Sequence, residues 1–144
     1  MQPNSLWMWV VMIFASGLLL SACGGVTSEA AIPEPAKVEA DGRITLTEMA
    51  SERLGLQTAP ISEAQVGGRM QTVVPYTAVL YGLDGETWVY VSPEPLVFLR
   101  QPITVGDIVG DVGVLLEGPP VGTEVVTAGA AELFGVESGL DEGH

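Results

Sequence analysis

The sequence predicts an all-β fold, a small antiparallel barrel or sandwich with one or two short helices. Between residues 73 and 134, apolar, β-branched and aromatic side chains recur in short runs of strand length. Gly, Pro and Asp separate these runs at intervals of about eight to twelve residues, a spacing typical of strands joined by tight turns. The whole chain has 144 residues, enough for one such domain.

The composition excludes several classes of function. Asp and Glu number 18 against 5 Lys and Arg, and every charged side chain follows residue 28, so the net charge of −13 belongs to the region after the N-terminal apolar segment. A field of this sign repels phosphate backbones, and no nucleic-acid partner is expected. The single Cys excludes an internal disulfide, and the single His excludes a multi-histidine metal site.

Residues 1–22 are predicted to be a lipoprotein signal peptide. Residues 6–20 carry no charge, but this run is shorter than the roughly 20 residues that span a bilayer. It ends in Leu20-Ser21-Ala22-Cys23, which resembles the lipobox of bacterial lipoproteins. That resemblance implies that Cys23 is lipidated, for example with palmitate, and begins the mature chain. An uncleaved anchor and a buried free Cys remain the alternatives, because residues 1–6 contain no Lys or Arg.

Residues 23–41 are predicted to form an acidic tether between the lipid and the domain. The segment contains Pro33 and Pro35 and four acidic residues, and it has no apolar periodicity. Such a composition is typical of a flexible, partly extended linker. Gly24 follows Cys23, which in lipoproteins of enteric type favours the outer membrane, so the predicted location is the cell envelope, with the domain facing the periplasm.

Residues 42–135 are predicted to be the β domain, which opens with a strand and a short helix. Residues 42–46 alternate as a strand does. Thr47 is a predicted N-cap, and Gly55 is a predicted C-cap of a helix over residues 47–54. Residues 56–61 then resume an extended run.

The middle of the domain contains a predicted central strand. Residues 63–68 are expected to form a polar joint. In residues 87–91, Trp88 and Tyr90 share one face while Val89 and Val91 share the other, so both faces are apolar.

The last part of the domain is predicted to combine a long strand, a short helical turn and a tail. Residues 96–105 read as a strand in which Gln101-Pro102 indicates a bulge or an edge position. Residues 130–134 are expected to form a final helical turn. Residues 136–144 are predicted to be a flexible acidic tail.

The order of several motifs resembles the periplasmic adaptor subunits of RND-type efflux pumps, the membrane-fusion or HlyD-like proteins. The resemblance covers roughly residues 43–144. Its motifs are Ile44-Thr45-Leu46-Thr47, Arg53-Leu54-Gly55-Leu56-Gln57-Thr58-Ala59-Pro60, Val74-Pro75-Tyr76-Thr77-Ala78-Val79-Leu80, Thr87-Trp88-Val89-Tyr90-Val91, Arg100-Gln101-Pro102-Ile103-Thr104-Val105-Gly106 and Gly122-Thr123-Glu124-Val125-Val126-Thr127-Ala128-Gly129.

The resemblance implies that the two ends of an adaptor come together here as its membrane-proximal β domain. A full adaptor carries a lipoyl-like domain, an α-helical hairpin and a further β-barrel between those ends. In this chain only residues 62–71 separate them, which is too short for paired heptads. The chain is therefore expected to be an adaptor truncated to the membrane-proximal domain.

No catalytic constellation is present, and no enzymatic activity or cofactor is expected. The only imidazole is His144 at the C-terminal end, which argues against a Ser-His-acid triad. Asp107 and Asp111 lie four residues apart across a turn. They are candidates for weak Ca²⁺ binding, but they lack the ligand count of an EF-hand loop and are more typical of solvated turn residues.

Met49 and Met70 are the candidate metal ligands, because some adaptors handle copper or silver through Met and these are the only Met residues after the signal peptide. The alternative is that they fill a small core. Arg100 is a candidate for a cross-strand ion pair. A further set of aromatic side chains is expected mainly in the core, with a binding face as the alternative; it comprises Tyr76, Tyr81, Trp88, Tyr90, Phe98 and Phe134.

The sequence thus favours a non-catalytic envelope lipoprotein. Its expected role is that of an adaptor-like accessory component of an RND-type efflux system, acting in transmembrane transport through protein contact. The expected partners are a membrane, through Cys23, and an RND pump or a full-length adaptor, with no small-molecule substrate identified. The alternatives are an envelope metal- or ligand-binding lipoprotein that reuses the fold, and a non-functional remnant of a full adaptor.

Overall fold

The computed structural model describes residues 34–141; the predicted signal peptide, Cys23 and His144 lie outside them. Within this range the chain forms ten strands, two α-helices and one 3-10 helix. In chain order these are β1 (Ala36–Val38), β2 (Ile44–Leu46), α1 (Glu48–Leu54), β3 (Gln57–Pro60), β4 (Ser62–Val66), β5 (Arg69–Pro75), the 3-10 helix (Tyr76–Ala78), β6 (Leu80–Tyr81), β7 (Thr87–Glu94), β8 (Val97–Val109), β9 (Val112–Glu117), β10 (Glu124–Ala128) and α2 (Ala130–Asp141).

The strands form one curled antiparallel sheet whose two ends meet. The strand order is β3-β10-β7-β8-β9-β5-β4. Its terminal strands, β3 and β4, are separated in the chain by Ile61 alone. At this seam the Ile61 amide donates to the Thr123 carbonyl at 2.9 Å, and the Gly122 amide donates to the Ile61 carbonyl at 2.8 Å. The predicted all-β fold, a small antiparallel barrel or sandwich with short helices, is confirmed.

Strand β7 is the central strand that the sequence predicted. It pairs with β10 on one side and with β8 on the other. Val89 and Val91 point into the interior of the curled sheet, whereas Tyr90 is buried on the opposite face because successive strand residues alternate. The interior cluster consists of Ile61, Val74, Ala78, Val79, Val89, Val91, Ile103, Leu115 and Val125.

A second apolar cluster covers the outer face of the sheet. Strands β1 and β2 and both α-helices contribute side chains to it, and fully buried members include Ile44, Tyr90, Val126 and Leu133. The two clusters lie on opposite faces of the same strands, since Val125 belongs to the interior cluster and the adjacent Val126 to the outer one. Burial on both faces explains why apolar residues are nearly continuous in β7 and β10.

Helix α1 has the two caps that the sequence predicted. The Thr47 side chain accepts a hydrogen bond from the Ala50 amide at 3.2 Å. Gly55 has a φ of 63° and its amide donates to the carbonyls of Ser51 and Glu52. These contacts satisfy backbone groups that the ends of a short helix leave unpaired.

The predicted polar joint at residues 63–68 is wrong, because this segment builds a β-hairpin. Strands β4 and β5 pair from Ser62 opposite Val73 to Val66 opposite Arg69. Gly67 and Gly68 form the two-residue turn with φ values of 59° and 79°, the positive range that such hairpin turns require. A polar, half-exposed hairpin is stabilised by its partner strands, a contribution that the local composition does not reveal.

The predicted tether also ends earlier than residue 41. Val38 pairs with Ile44 and Ala36 pairs with Leu46, which makes residues 36–38 an added strand of the sheet. Both Ala36 and Val38 pack against the outer apolar cluster. The domain therefore begins before residue 42, because pairing and burial hold this segment in place.

The predicted flexible tail from residue 136 is contradicted over residues 136–141, which complete α2. Leu133 is fully buried, and Val136 packs on the same outer cluster one turn later. Side chains three residues apart on one helical face anchor the helix to the sheet.

Of the two readings offered for Gln101-Pro102, the bulge is wrong and the edge position is confirmed. On the side of β8 that faces away from β7, the described strands pair only with residues 97–98 and with residues from 104 onward. The β7–β8 register runs unbroken from Val91 opposite Leu99 to Thr87 opposite Ile103. The irregularities of β8 lie instead between Thr104 and Val105 and between Val105 and Ile108, in the part of the strand that pairs with β9. Bulges there bend the strand away from β7.

Candidate functional site

A surface groove of about 520 Å³ separates the β6–β7 turn from the β8–β9 hairpin. Tyr81 and Glu86 line one side, and Val105 and Ile108 line the other. Gly85 and Gly106 also line it. The elements meet here because β8 leaves β7 at its bulges and continues paired with β9, which β5 flanks on its other side.

The rim of the groove exposes large apolar side chains. Tyr81 is 53% exposed, Ile108 47% and Leu83, in the adjacent turn, is fully exposed. The Tyr76 ring, itself 41% exposed, lies 6.5 Å from the Tyr81 ring at an angle of 59°. The expectation that the aromatic residues serve mainly as core is confirmed for Trp88, Tyr90 and Phe98 and is wrong for Tyr76, Tyr81 and Phe134.

The charges around the groove are acidic. Glu86 lines it, and Asp84 and Asp107 are exposed in the adjoining turn and hairpin. From residue 70 to residue 117, Arg100 is the one basic side chain in the sequence, and it forms an ion pair with Glu137 of α2. The groove therefore has a mainly polar lining, exposed apolar side chains at its rim and a negative electrostatic potential.

A second cluster of polar and aromatic side chains attaches α2 to the sheet. The Tyr90 hydroxyl donates a short hydrogen bond to the Glu137 carboxylate, whose other oxygen lies 3.1 Å from Arg100 Nη2. The Arg100 guanidinium also lies 5.2 Å from the centre of the Trp88 ring and 5.9 Å from that of Phe134. Arg100 was expected to pair across a strand; it pairs with the helix instead.

This cluster lacks the features of an active site. The Glu137 side chain is 13% exposed and Tyr90 is fully buried, so the pair lies beneath the helix rather than in a groove. Trp88 Nε1 is buried and has no hydrogen-bond partner within residues 34–141, but the Trp88 ring packs against the Phe134 ring, with 6.0 Å between the ring centres. The arrangement fixes the position of α2, and its expected effect is on stability.

We expect Tyr90→Phe to reduce the alkaline sensitivity of the fold. Burial, followed by the hydrogen bond with Glu137, raises the pKa of the Tyr90 hydroxyl above its ordinary value of 10.0. The folded protein therefore holds this proton at a pH where the unfolded chain releases it. The associated stability is complete below pH 10.0 and is lost as the pH rises above it.

The measurement is urea unfolding at a series of pH values above and below that ordinary pKa. Above it, the free energy of unfolding of the wild type should fall more steeply than that of Tyr90→Phe, by up to about 1.4 kcal/mol per pH unit. Identical slopes in the two proteins would contradict the assignment.

The two candidate metal ligands are on the surface and on separate elements. Met49 lies on α1 and Met70 on β5, and each is 62% exposed. The alternative that these residues fill the core is therefore wrong. Asp107 and Asp111 are exposed on the β8–β9 hairpin, and among residues 34–141 no group of three or more His, Cys, Asp or Glu side chains is arranged to hold a metal ion.

Cys23 and His144 lie outside the described residues, so the lipidation site stays a prediction. In the described range, neither helix has the length and apolar character needed to cross a bilayer.

Comparisons with known proteins give one partial structural likeness. No family model matches the chain, and no curated protein matches it. One solved structure is similar in part. It is the NMR structure of 180 residues of SilB from Cupriavidus metallidurans CH34, encompassing the N-terminal metal-binding site and the membrane proximal domain. The identity is 24% and the TM-score 0.46, and the match covers 58% of this chain and 48% of that one, about half its length.

Proposed function

We propose that this protein is a non-catalytic, adaptor-like accessory component of an RND-type efflux system, acting through contact with another protein. In this proposal, lipidated Cys23 anchors the chain to a membrane facing the periplasm, with the outer membrane favoured. The partner is an RND pump or a full-length adaptor.

The observation that carries the proposal is the pairing of the early segment with the late strands. Ile44 of β2 lies opposite Phe98 of β8, and Ala59 of β3 lies opposite Val125 of β10. The motifs that resemble the start and the end of an adaptor thus form one β body, as the resemblance requires. Because more than fifty residues separate the two members of each pair in the chain, their association is not a local effect.

The hairpin β4–β5 supports an accessory role rather than that of a complete adaptor. It occupies the position where a full adaptor carries its lipoyl-like domain and helical hairpin. Its strands are joined by Gly67 and Gly68 alone, and β5 continues directly into a pairing with β9. The strands before and after this turn therefore belong to the same sheet, and no helical hairpin is inserted between them. Within the described domain, contact with a partner would be made through the surface of the sheet and its turns.

The test is affinity capture of the full chain from detergent-solubilised membranes of its own cells. Subunits of an RND pump or a full-length adaptor should be recovered and identified by mass spectrometry. A control protein carrying residues 1–33, which precede β1, fused to an unrelated domain should recover neither, since it shares only the anchor segment. Recovery of the bait alone, or equal recovery by the control, would count against the proposal.

Cys23→Ser is expected to abolish metabolic labelling with palmitate and to release the protein from the membrane fraction. Acyl chains contribute roughly 0.8 kcal/mol per buried methylene, so their loss removes the anchor. A matched control adds a thiol at an exposed strand position, Thr45→Cys, to the Cys23→Ser protein. This variant should stay unlabelled; labelling of either variant would refute the assignment.

A metal-binding function is the second candidate. Met49 and Met70 are both exposed, but they lie on separate elements, α1 and β5, so a shared site would require the two side chains to approach each other. Titration with Ag(I) should then shift the methyl NMR signals of both residues, and Met49→Leu or Met70→Leu should each remove binding. Unchanged methyl signals would contradict the metal-binding function. A remnant without function would show no change in this titration and would recover no efflux component in the capture experiment.

A further inference from the structure

We propose that the groove between the β6–β7 turn and the β8–β9 hairpin is the docking surface, and that it receives a cationic segment of the partner protein. This inference rests on the proposed function, because it names the surface through which the protein contact is made. It concerns Tyr81, Glu86 and Ile108 in particular.

The apolar part of the surface supplies contact area. Tyr81 and Ile108 both line the groove with about half of each side chain exposed, and Leu83, in the turn that follows Tyr81, is fully exposed. Exposed apolar side chains that are contiguous mark sites of interaction, whereas isolated ones are ordinary. Because Gly85 has open space where a side chain would begin, an extended segment can enter the groove from the side of the β6–β7 turn.

The negative charges near the groove indicate which kind of molecule binds there. Glu86 lines the groove, and Asp84 and Asp107 are exposed next to lining residues. Arg100, the one basic residue between 70 and 117, is already paired with Glu137. A second copy of this chain would bring a net charge of −13 against these carboxylates. An anionic lipid surface or a nucleic acid would be repelled for the same reason. A polypeptide that carries Lys or Arg beside an apolar residue complements both components of the surface.

The test places a photo-crosslinking amino acid at Ile108 of the full-length protein in its own cells. The matched control carries it at Val121, which is 50% exposed in the loop between β9 and β10. The expected result is a strong adduct from position 108 and a weak one from position 121. Mass spectrometry should place the adduct from position 108 in a partner segment of net positive charge.

Charge-reversal variants then test whether the acidic side chains near the groove contribute to binding the partner segment. Glu86→Lys with Asp107→Lys should reduce the adduct at position 108 at least about tenfold, since each lost close charge pair weakens binding substantially. Glu63→Lys with Glu124→Lys makes the same change in net charge at exposed positions of β4 and β10 and should leave the adduct unchanged. Thermal melts of both double variants establish that each one is folded.

Several results would overturn the inference: equal adducts at positions 108 and 121, no adduct at position 108, an adduct with a second copy of the chain or with lipid, or an acidic partner segment. Its failure can be told apart from that of the proposed function. If an efflux component is captured but no adduct forms at position 108, the groove is not the docking surface and the proposed function stands. If the adduct forms with a cationic segment of a protein from no efflux system, the groove is the docking surface and the proposed function is wrong.

Discussion

Gly129→Ala is expected to destabilise the domain strongly, although it adds a single methyl group. Gly129 joins β10 to α2 with a φ of 78°, where an L-residue is strained. An added Cβ would lie 2.7 Å from the Leu54 carbonyl oxygen and 2.5 Å from Leu56 Cδ2. Left-handed backbone costs about 1–2 kcal/mol and overpacking about 1–3 kcal/mol, so the expected loss is about 2–5 kcal/mol.

Relieving this clash costs free energy, because one of the two contacts is with a backbone atom at the end of α1, which cannot move without shifting the helix. Gly135→Ala is the matched control: it lies inside α2 with open space around the added Cβ. That variant should gain about 0.5–1 kcal/mol, the usual advantage of Ala over Gly in a helix. The measurement is the free energy of unfolding in urea for the wild type, Gly129→Ala and Gly135→Ala. A Gly129→Ala protein as stable as the wild type would contradict the packing described between β10 and α2.

Ile61→Ala is expected to cost about 2–5 kcal/mol, the range for truncating a buried Ile side chain. Ile61 is 1% exposed, belongs to the interior cluster and bridges the two ends of the sheet. Ile61→Val removes one methylene and should cost about 0.5–1.5 kcal/mol. The exposed Val121→Ala, in the neighbouring loop, should change stability by less than about 0.5 kcal/mol.

The same unfolding series measures this effect. If Ile61→Ala cost no more than Val121→Ala, the side chain would not be in the core and the sheet would not close at this seam. An intermediate loss for Ile61→Val is the graded result that cavity formation predicts.

The sequence predicted correctly those elements that are determined by residues close together in the chain. Helix α1 could be read from Thr47 and Gly55 because caps act within a few residues of the chain. The central position of β7 followed from Trp88 and Tyr90 alternating with Val89, since only a strand covered on both faces tolerates that pattern.

Elements defined by distant partners were missed. Strand β1 has three residues, and its pairing with β2 exists only in the folded sheet. The extent of α2 was underestimated because Gly135 and Gly139 weaken its helical propensity, whereas Leu133 and Glu137 bind it to the sheet. The β4–β5 hairpin did have a local signal in Gly67-Gly68, but β5 is also held by pairing with β9, which lies some forty residues further along the chain.

The candidate docking surface had no signal in the sequence for the same reason. Tyr81 and Ile108 are brought together by the bend in β8, and the bulges that cause it carry no fixed residue type. The one useful hint was the scarcity of basic residues between 70 and 117, which is visible in the sequence. Together with the net charge of −13, this scarcity indicates a negative surface but not where on the domain it lies.

Cysteine cross-linking between β3 and β10 tests most directly whether the early segment and the late strands form one β body. In a Cys23→Ser background, Ala59→Cys with Val125→Cys places two thiols at directly paired positions that share a face of the sheet. The control, Thr58→Cys with Val125→Cys, is one residue out of register and directs the thiols to opposite faces. We expect rapid disulfide formation, seen as a shift in non-reducing electrophoresis, in the first protein and little in the second. No disulfide in the first, or equal amounts in both, would contradict the shared β body.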